Sequence, residues 1–480
     1  MNQALEKIIT KKLSLIVDFF KQNHDYSLAD LHQHFKQGAP QISNTLNYFI
    51  YEEIKRLYGA NLAHEAITDL KGEYFYTAHH GGIENHPQLI ASNILALGTA
   101  YQRLQKHTHI AFVCNATKKN NSTIPCGFLS GKVKSNLKRA DFFFTGKTHN
   151  SNKILYSQKI ELNNSFNQKV MASAFFDYEK DILKRFSFKN DAELFTDKAA
   201  LNNTIALNSF MPKENHADAL FIDYDVIAKK CIINDLSDKN SFMCNLFSDH
   251  SKLYALIEKL CKVPGCWGQE LIHTSIEEIN HKINNPHGTI LFYAIAKNGT
   301  MLPLHLIKEN NSLYLATEDF SLELTSLEIK NALCDGSILP GPFLSYISLI
   351  FGHNMFPAGG IYMQHYLGVQ IQAVMDIYEI KSDFKLTSLI SSCILPVAVI
   401  VNNENLFNRM HPLSSLDLRS LTLDNVNLLK LLNSKLEESK IFTYADIILD
   451  NFDRRMINDH YDLLLKARST LPALSLNCFS

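Results

Sequence analysis

The sequence has almost no net charge: 47 Lys and Arg stand against 48 Asp and Glu, a formal −1 at pH 7. The broad electrostatic footprint of a nucleic-acid binder, or of a protein drawn to an anionic membrane, is therefore missing. Basic runs such as Lys118-Lys119 and residues 131–140 read as solvated faces. Nine cysteines occur without a CxxC. The closest pair, Cys261 and Cys266, has no second Cys or His pair at zinc-ligand spacing, which points to reduced, mostly buried thiols. Long apolar runs are absent. The most apolar stretch, residues 386–401, is short for a membrane span and contains Pro396. The first twenty residues lack a continuous apolar segment and read as an amphipathic helix rather than a signal peptide, so a cytoplasmic protein is expected. No Walker loop, G-x-S-x-G elbow, H-E-x-x-H pair or dinucleotide fingerprint occurs, and there is no internal repeat or low-complexity segment.

The chain runs to 480 residues, with 46% hydrophobic and 20% charged residues. That is ordinary globular usage at a length that favours more than one lobe. Helical spacing dominates the start, so residues 1–70 read as a helical N-terminal lobe. An aromatic run at Tyr74–Thr77 then reads as a strand, residues 88–104 as a helix with Pro87 near its first turn, and residues 109–115 (HIAFVCN) as a buried parallel strand. Strand, helix, strand within about forty residues is a βαβ unit. The loops after the two strands fall on one edge of the sheet. The expected fold class is α/β, with a Rossmann-like parallel core over residues 71–410 and a partly helical C-terminal lobe over 411–480. Further strands are expected at 153–162 and 219–225, where acidic residues close ALFIDYD. A hairpin is expected about Asn298-Gly299, with 301–307 and 312–316 as strands. The apolar helix expected over 343–351 follows.

Two constellations carry candidate chemistry. The first, after the first strand, holds His79, His80, Gly81, Gly82, Asn85 and His86. Glycines allow close backbone approach to a phosphate, a helix start offers free N–H groups, and imidazole titrates near neutral pH. His80, His86 and Asn85 are the catalytic candidates. His79, Gly81 and Gly82 are the substrate-binding ones, together with Asn93 on the following helix and Asn115 after the second strand. A divalent metal on His79, His80 and His86 is the rival reading, although their spacing matches no standard motif and no metal ligand is assigned. A polar, merely structural turn is the other. The second constellation is Gly359-Gly360 with Tyr362 and His365, again glycines ahead of polar residues that open a helix. Its alternative is a tight turn packed on the core. Cys114, ending the second strand, is either a nucleophile or a core residue.

These two stretches resemble the bacillithiol-synthesis cysteine-adding enzymes. In that family a strand runs into a T-G-H/Q-Q-P turn and a helix, and a later segment has a proline, a G-G turn and a tyrosine. Thr77-Ala78-His79-His80 through Pro87 is similar to the first, and Pro340, Gly359-Gly360 and Tyr366 are similar to the second. The family's acidic cluster after the second strand is replaced here by residues 115–121, and its arginine before the later proline is absent. The resemblance implies a Rossmann-like core and a ligase- or transferase-like ancestry. The expected function is thus a small-metabolite biosynthetic enzyme working on an activated or phosphate-bearing intermediate, with a small-molecule substrate, no nucleic acid and no membrane. ATP or another nucleotide with magnesium is the cofactor class this admits, and a homo-oligomer stays open. A non-catalytic interaction protein of the effector kind is the alternative from a different class.

Overall fold

The computed structural model describes residues 14–37, 41–69, 74–80, 93–100, 108–114, 127–130, 138–141, 194–208, 211, 218–262, 269–279, 289–358, 363–381 and 425–436. The expected strand at 153–162 and the apolar run 386–401 lie outside them. Among the described residues four helices come first: α1 (Ser14–Gln22), α2 (Leu28–Gln37), α3 (Asn44–Tyr58) and α4 (Ala60–Asp69). Ser27 and Ser43 open α2 and α3, their hydroxyls accepting the Asp30 and Leu46 N–H groups at 3.2 and 3.1 Å; such caps satisfy amides that a helix start leaves free. Gly59, at φ 93, makes the break between α3 and α4, in backbone space that favours glycine.

Next come β1 (Tyr74–His80), a helix α5 at residues 93–100, and β2 (Thr108–Cys114). A hairpin of β3 (Gly127–Ser130) and β4 (Lys138–Asp141) precedes α6 (Phe195–Asn208), β5 (Asp218–Asp223) and α7 (Tyr224–Asp235). The acidic end of ALFIDYD is thus the junction of β5 with α7. Helices α8 (Phe242–Ser248) and α9 (His250–Cys261) lead into short strands: β6 (Ile272–His273), β7 (Phe292–Ile295), β8 (Met301–Pro303), β9 (His305–Glu309), β10 (Ser312–Thr317) and β11 (Phe320–Glu323). β7 and β8 form the expected hairpin, with Gly299 at φ 78 in its turn. The expected single strand 301–307 is two strands, because Pro303 has no N–H for the ladder. Then come α10 (Ser326–Asp335), β12 (Ile338–Pro340), α11 (Pro342–Ile347) running into a π-helical turn at Ser348–Gly352, β13 (Phe356–Ala358), α12 (Met363–Ile377) and α13 (Asn425–Leu432).

The architecture is mixed α/β, and its sheets are small. One has four strands in the order β13-β1-β2-β5, every adjacent pair parallel. A second, β11-β10-β9-β6, is mixed; β12-β7-β8 and β3-β4 are antiparallel. β2 is buried along its whole length, as a strand covered on both faces must be.

Among the described residues, two large apolar clusters fill the interior. The first joins Ile50 and Ile54 of α3 and Ala63 of α4 to Ile110 and Phe112 of β2, Ile222 of β5, Ile227 of α7 and Leu367 of α12. The amino-terminal helices therefore pack directly on the parallel sheet. The second gathers Phe247, Leu256, Phe292, Leu306, Leu315, Leu333 and Leu344 from α8 through α11. At the carboxyl-terminal side, α13 lies against α5: a Cβ on Gly98 would sit 2.8 Å from Leu428 Cδ1, so glycine admits that close approach.

Candidate functional site

Parallel strands point one way, so the carboxyl ends of β13, β1, β2 and β5 lie along one edge. The pairing Tyr76↔Ala358, His80↔Cys114 and Val113↔Asp223 fixes what meets there. β1 ends in His79 and His80, β2 in Cys114, β5 in Asp223, and β13 in Ala358, whose next two residues in the sequence are Gly359 and Gly360. The β1–β2 ladder shifts register between Thr77 and His79. Such irregularities bend a strand and re-aim its side chains, and they recur beside sites.

The β5 side of this edge is acidic and closed. Asp223 and Asp225 are only 2% and 3% exposed. The Asp223 carboxylate caps α7, accepting the N–H groups of Asp225 and Val226 at 2.8 and 3.1 Å. An anion at the start of α7 would have to displace that cap, so the amino end of α7 is already filled. Tyr224, between the two aspartates, is fully buried with its ring 5.5 Å from that of Tyr346. Burial pushes its hydroxyl well above the ordinary phenol value, with Tyr346, Cys114 and Asp225 adding to the shift.

Cys114 is buried, and burial, reinforced by the Asp225 and Asp223 charges, pushes its thiol well above the usual value. A nucleophilic or metal-binding cysteine needs the opposite setting, next to positive charge. Cys114 is a protonated core thiol at neutral pH.

The sequence candidates divide three ways. His79 and His80 end β1 at the carboxyl edge, and His365 is the third residue of α12, the helix after β13. Gly81, Gly82, Asn85, His86, Asn115, Gly359, Gly360 and Tyr362 lie outside the described residues. Asn93 stands apart: it is fully buried, and its Oδ1 is 3.1 Å from Nε2 of His109, the second residue of β2. That places its amide towards the amino end of β2, away from the edge that carries His80 and Cys114, where it holds α5 against the sheet. Among the described residues no group of three or more His, Cys, Asp or Glu is arranged to hold a metal; the expected trio extends to His86, beyond them. No described helix is long and apolar enough to cross a membrane.

Sequence reasoning passed over Asp223 and Asp225 as site neighbours, although a strand closing on D-Y-D was visible. It also passed over two partly buried polar clusters. In one, Arg56 of α3 donates to both Asp197 oxygens of α6 at 2.7 and 2.6 Å and to Glu53 at 2.5 Å, and Lys230 of α7 reaches Glu53 at 3.2 Å. In the other, Ser43, His353 and Asp235 form a chain of hydrogen bonds. Apart from Glu53 and Arg56, which are neighbours on α3, the bonded partners are separated by more than a hundred residues, and nothing local announces those pairings. Neither a protein-family model nor a curated protein matches the chain, so the reading of the site rests on its geometry.

Proposed function

We propose that the chain is a Rossmann-like small-metabolite enzyme of the cytoplasm, of ligase or transferase type, whose carboxyl-edge site takes an activated or phosphate-bearing intermediate. The observation that carries this is the strand order. From β1 the chain moves to β2 and then β5 on one side, and returns to place β13 on the other. In open parallel sheets ligands bind at such a reversal, in the crevice between the two strands where the connections part. Here those strands are β1 and β13, and each runs in the sequence into a pair of glycines. They are also the two stretches whose residues carry the family resemblance.

Phosphate belongs on the β1–β13 side, since Asp223 and Asp225 make the β5 side repulsive to anions. In this reading His80 and His86 stabilise the transferring phosphate or act as acid and base, and Asn85 orients the substrate. His79, Gly81, Gly82, Asn115, Gly359 and Gly360 form the backbone cradle, with Tyr362 and His365 closing the pocket. A nucleotide such as ATP with magnesium fits this chemistry. Asn93 supports the helix from the opposite side.

The test is a thermal-shift screen of the full chain against magnesium–ATP, ADP, inorganic phosphate and phosphorylated amino acids, with His80→Ala alongside. A ligand at a hundredfold excess over its Kd adds about 2.7 kcal/mol to stability. A shift with a phosphate compound that disappears in His80→Ala is expected. No shift with any of them, or the same shift in His80→Ala, would contradict the reading.

A further inference from the structure

At the other end of the sheet lies a cluster that the proposed ligand site does not use. Ser43 Oγ is 2.6 Å from His353 Nδ1, and His353 Nε2 is 3.1 Å from Asp235 Oδ2. His353 comes three residues before β13, and Asp235 is the last residue of α7, so both stand at the amino edge. We propose that Ser43 is a histidine-activated nucleophile, the reactive member of a Ser–His–Asp triad that acts on small carboxylic esters. The proposal is independent of the reading of the carboxyl edge.

Three observations support it. The first is protonation. A carboxylate only accepts hydrogen bonds, so Asp235 fixes the hydrogen of neutral His353 on Nε2 and leaves the Nδ1 lone pair facing the Ser43 hydroxyl. That is the tautomer a general base needs, and such triads are recognised by geometry and role rather than by chain order. The second is graded exposure. Asp235 and His353 are 6% and 2% exposed, while Ser43 is half-buried between the buried Ile42 and the exposed Asn44. The serine is the least buried of the three, and its base and orienting acid are dry. The third is room made for the acid. A Cβ on Gly352 would lie 3.1 Å from Asp235 Oδ2, tighter than nine in ten such contacts, so glycine there leaves the carboxylate room beside the imidazole.

Helix capping by Ser43 does not compete with this role. Its Oγ accepts the Leu46 N–H at 3.1 Å through one lone pair while its hydrogen points to Nδ1. In the step, the Ser43 proton passes to His353 Nδ1 as Oγ bonds to the ester carbonyl carbon. The carbon–oxygen bond to the leaving alcohol then breaks, and the alcohol departs with the proton from His353. Water, deprotonated by the same nitrogen, releases the acid and regenerates Ser43.

The experiment treats the full chain with a fluorophosphonate at pH 8, maps the adduct by peptide mass spectrometry, and follows p-nitrophenyl acetate hydrolysis. One adduct on Ser43 is expected, with esterase activity lost in Ser43→Asn, which keeps a helix-capping side chain. His353→Gln should slow labelling by about 100-fold or more, the usual share of a general base. Wild-type labelling needs no variant to fold. Absence of an adduct on Ser43, or labelling of Ser43 at the same rate in His353→Gln, would overturn the proposal and leave the cluster a structural pin between α3, α7 and β13.

Discussion

The parallel sheet and the leucine-rich core beside it solve the same burial problem with different materials. Around the sheet, Glu53, Asn93, His109, Asp197, Asp223 and Asp225 are buried. In the second core, from α8 to α11, the described buried polar residues are Thr289, His305 and Ser345, none of them carboxylates. There Phe247 stacks on Phe292 with ring centroids 6.1 Å apart, among leucines and isoleucines. Burying charge is costly unless every group is paired, and an apolar replacement is often as stable. A chain that needed only stability would build both halves like the second. The sheet half uses paired charge to fix where α3, α6 and α7 sit, while the second half serves as a scaffold against which it rests.

The largest effect that breaks this contrast is expected in the scaffold. Phe247→Ala should cost about 3–5 kcal/mol, the usual range for deleting a buried aromatic ring, read from chemical denaturation. Asp197→Ala comes next, at about 2 kcal/mol. It removes both charge-assisted bonds to Arg56, but that side chain is 45% exposed and keeps Glu53. A cost near zero for Asp197→Ala would mean that the network adds nothing to the docking of α6 on α3.

Smaller in energy, but direct, is the thiol test. Cys114 should resist iodoacetamide in the native protein at pH 7 and react only on unfolding, while the exposed Cys334 reacts at once. Rapid native labelling of Cys114 would undo the account of a closed acidic edge.

The smallest effect is on pH. Burial lowers the His273 pKa below its ordinary value, against the opposing pull of Glu278. The unfolded chain then takes up a proton near pH 6.5 that the folded chain does not, so stability falls as pH drops through that value. His273→Gln should flatten the loss between pH 7 and 5 slightly, and an unchanged slope would contradict it.

Much of the local fold was legible in the sequence. The aromatic strand at Tyr74, the apolar run 109–115, the Asn298-Gly299 hairpin and the serine opening α2 carried their own signals in period, turn chemistry and caps. The strand β13 did not, because Phe356–Ala358 is three residues long and contains Pro357, which counts against a strand. The helix α7 was missed for another reason: it is buried on most sides and its apolar residues show no stripe. The candidate site was legible at the level of strand ends and glycines. Which strands stand side by side was not, since the β1–β13 pairing joins distant parts of the chain. The Asn93–His109 contact was hidden for the same reason: nothing local places His109 opposite Asn93.

The central claim is that a phosphate-bearing ligand seats where β1 and β13 part. Hydrogen–deuterium exchange of the full chain, with and without magnesium–ATP or whichever phosphate compound shifts its melting temperature, tests this most directly. Protection is expected in peptides covering 74–86 and 356–366 and not in those covering 292–323. Protection confined to the second core, or none at either strand end, would contradict it.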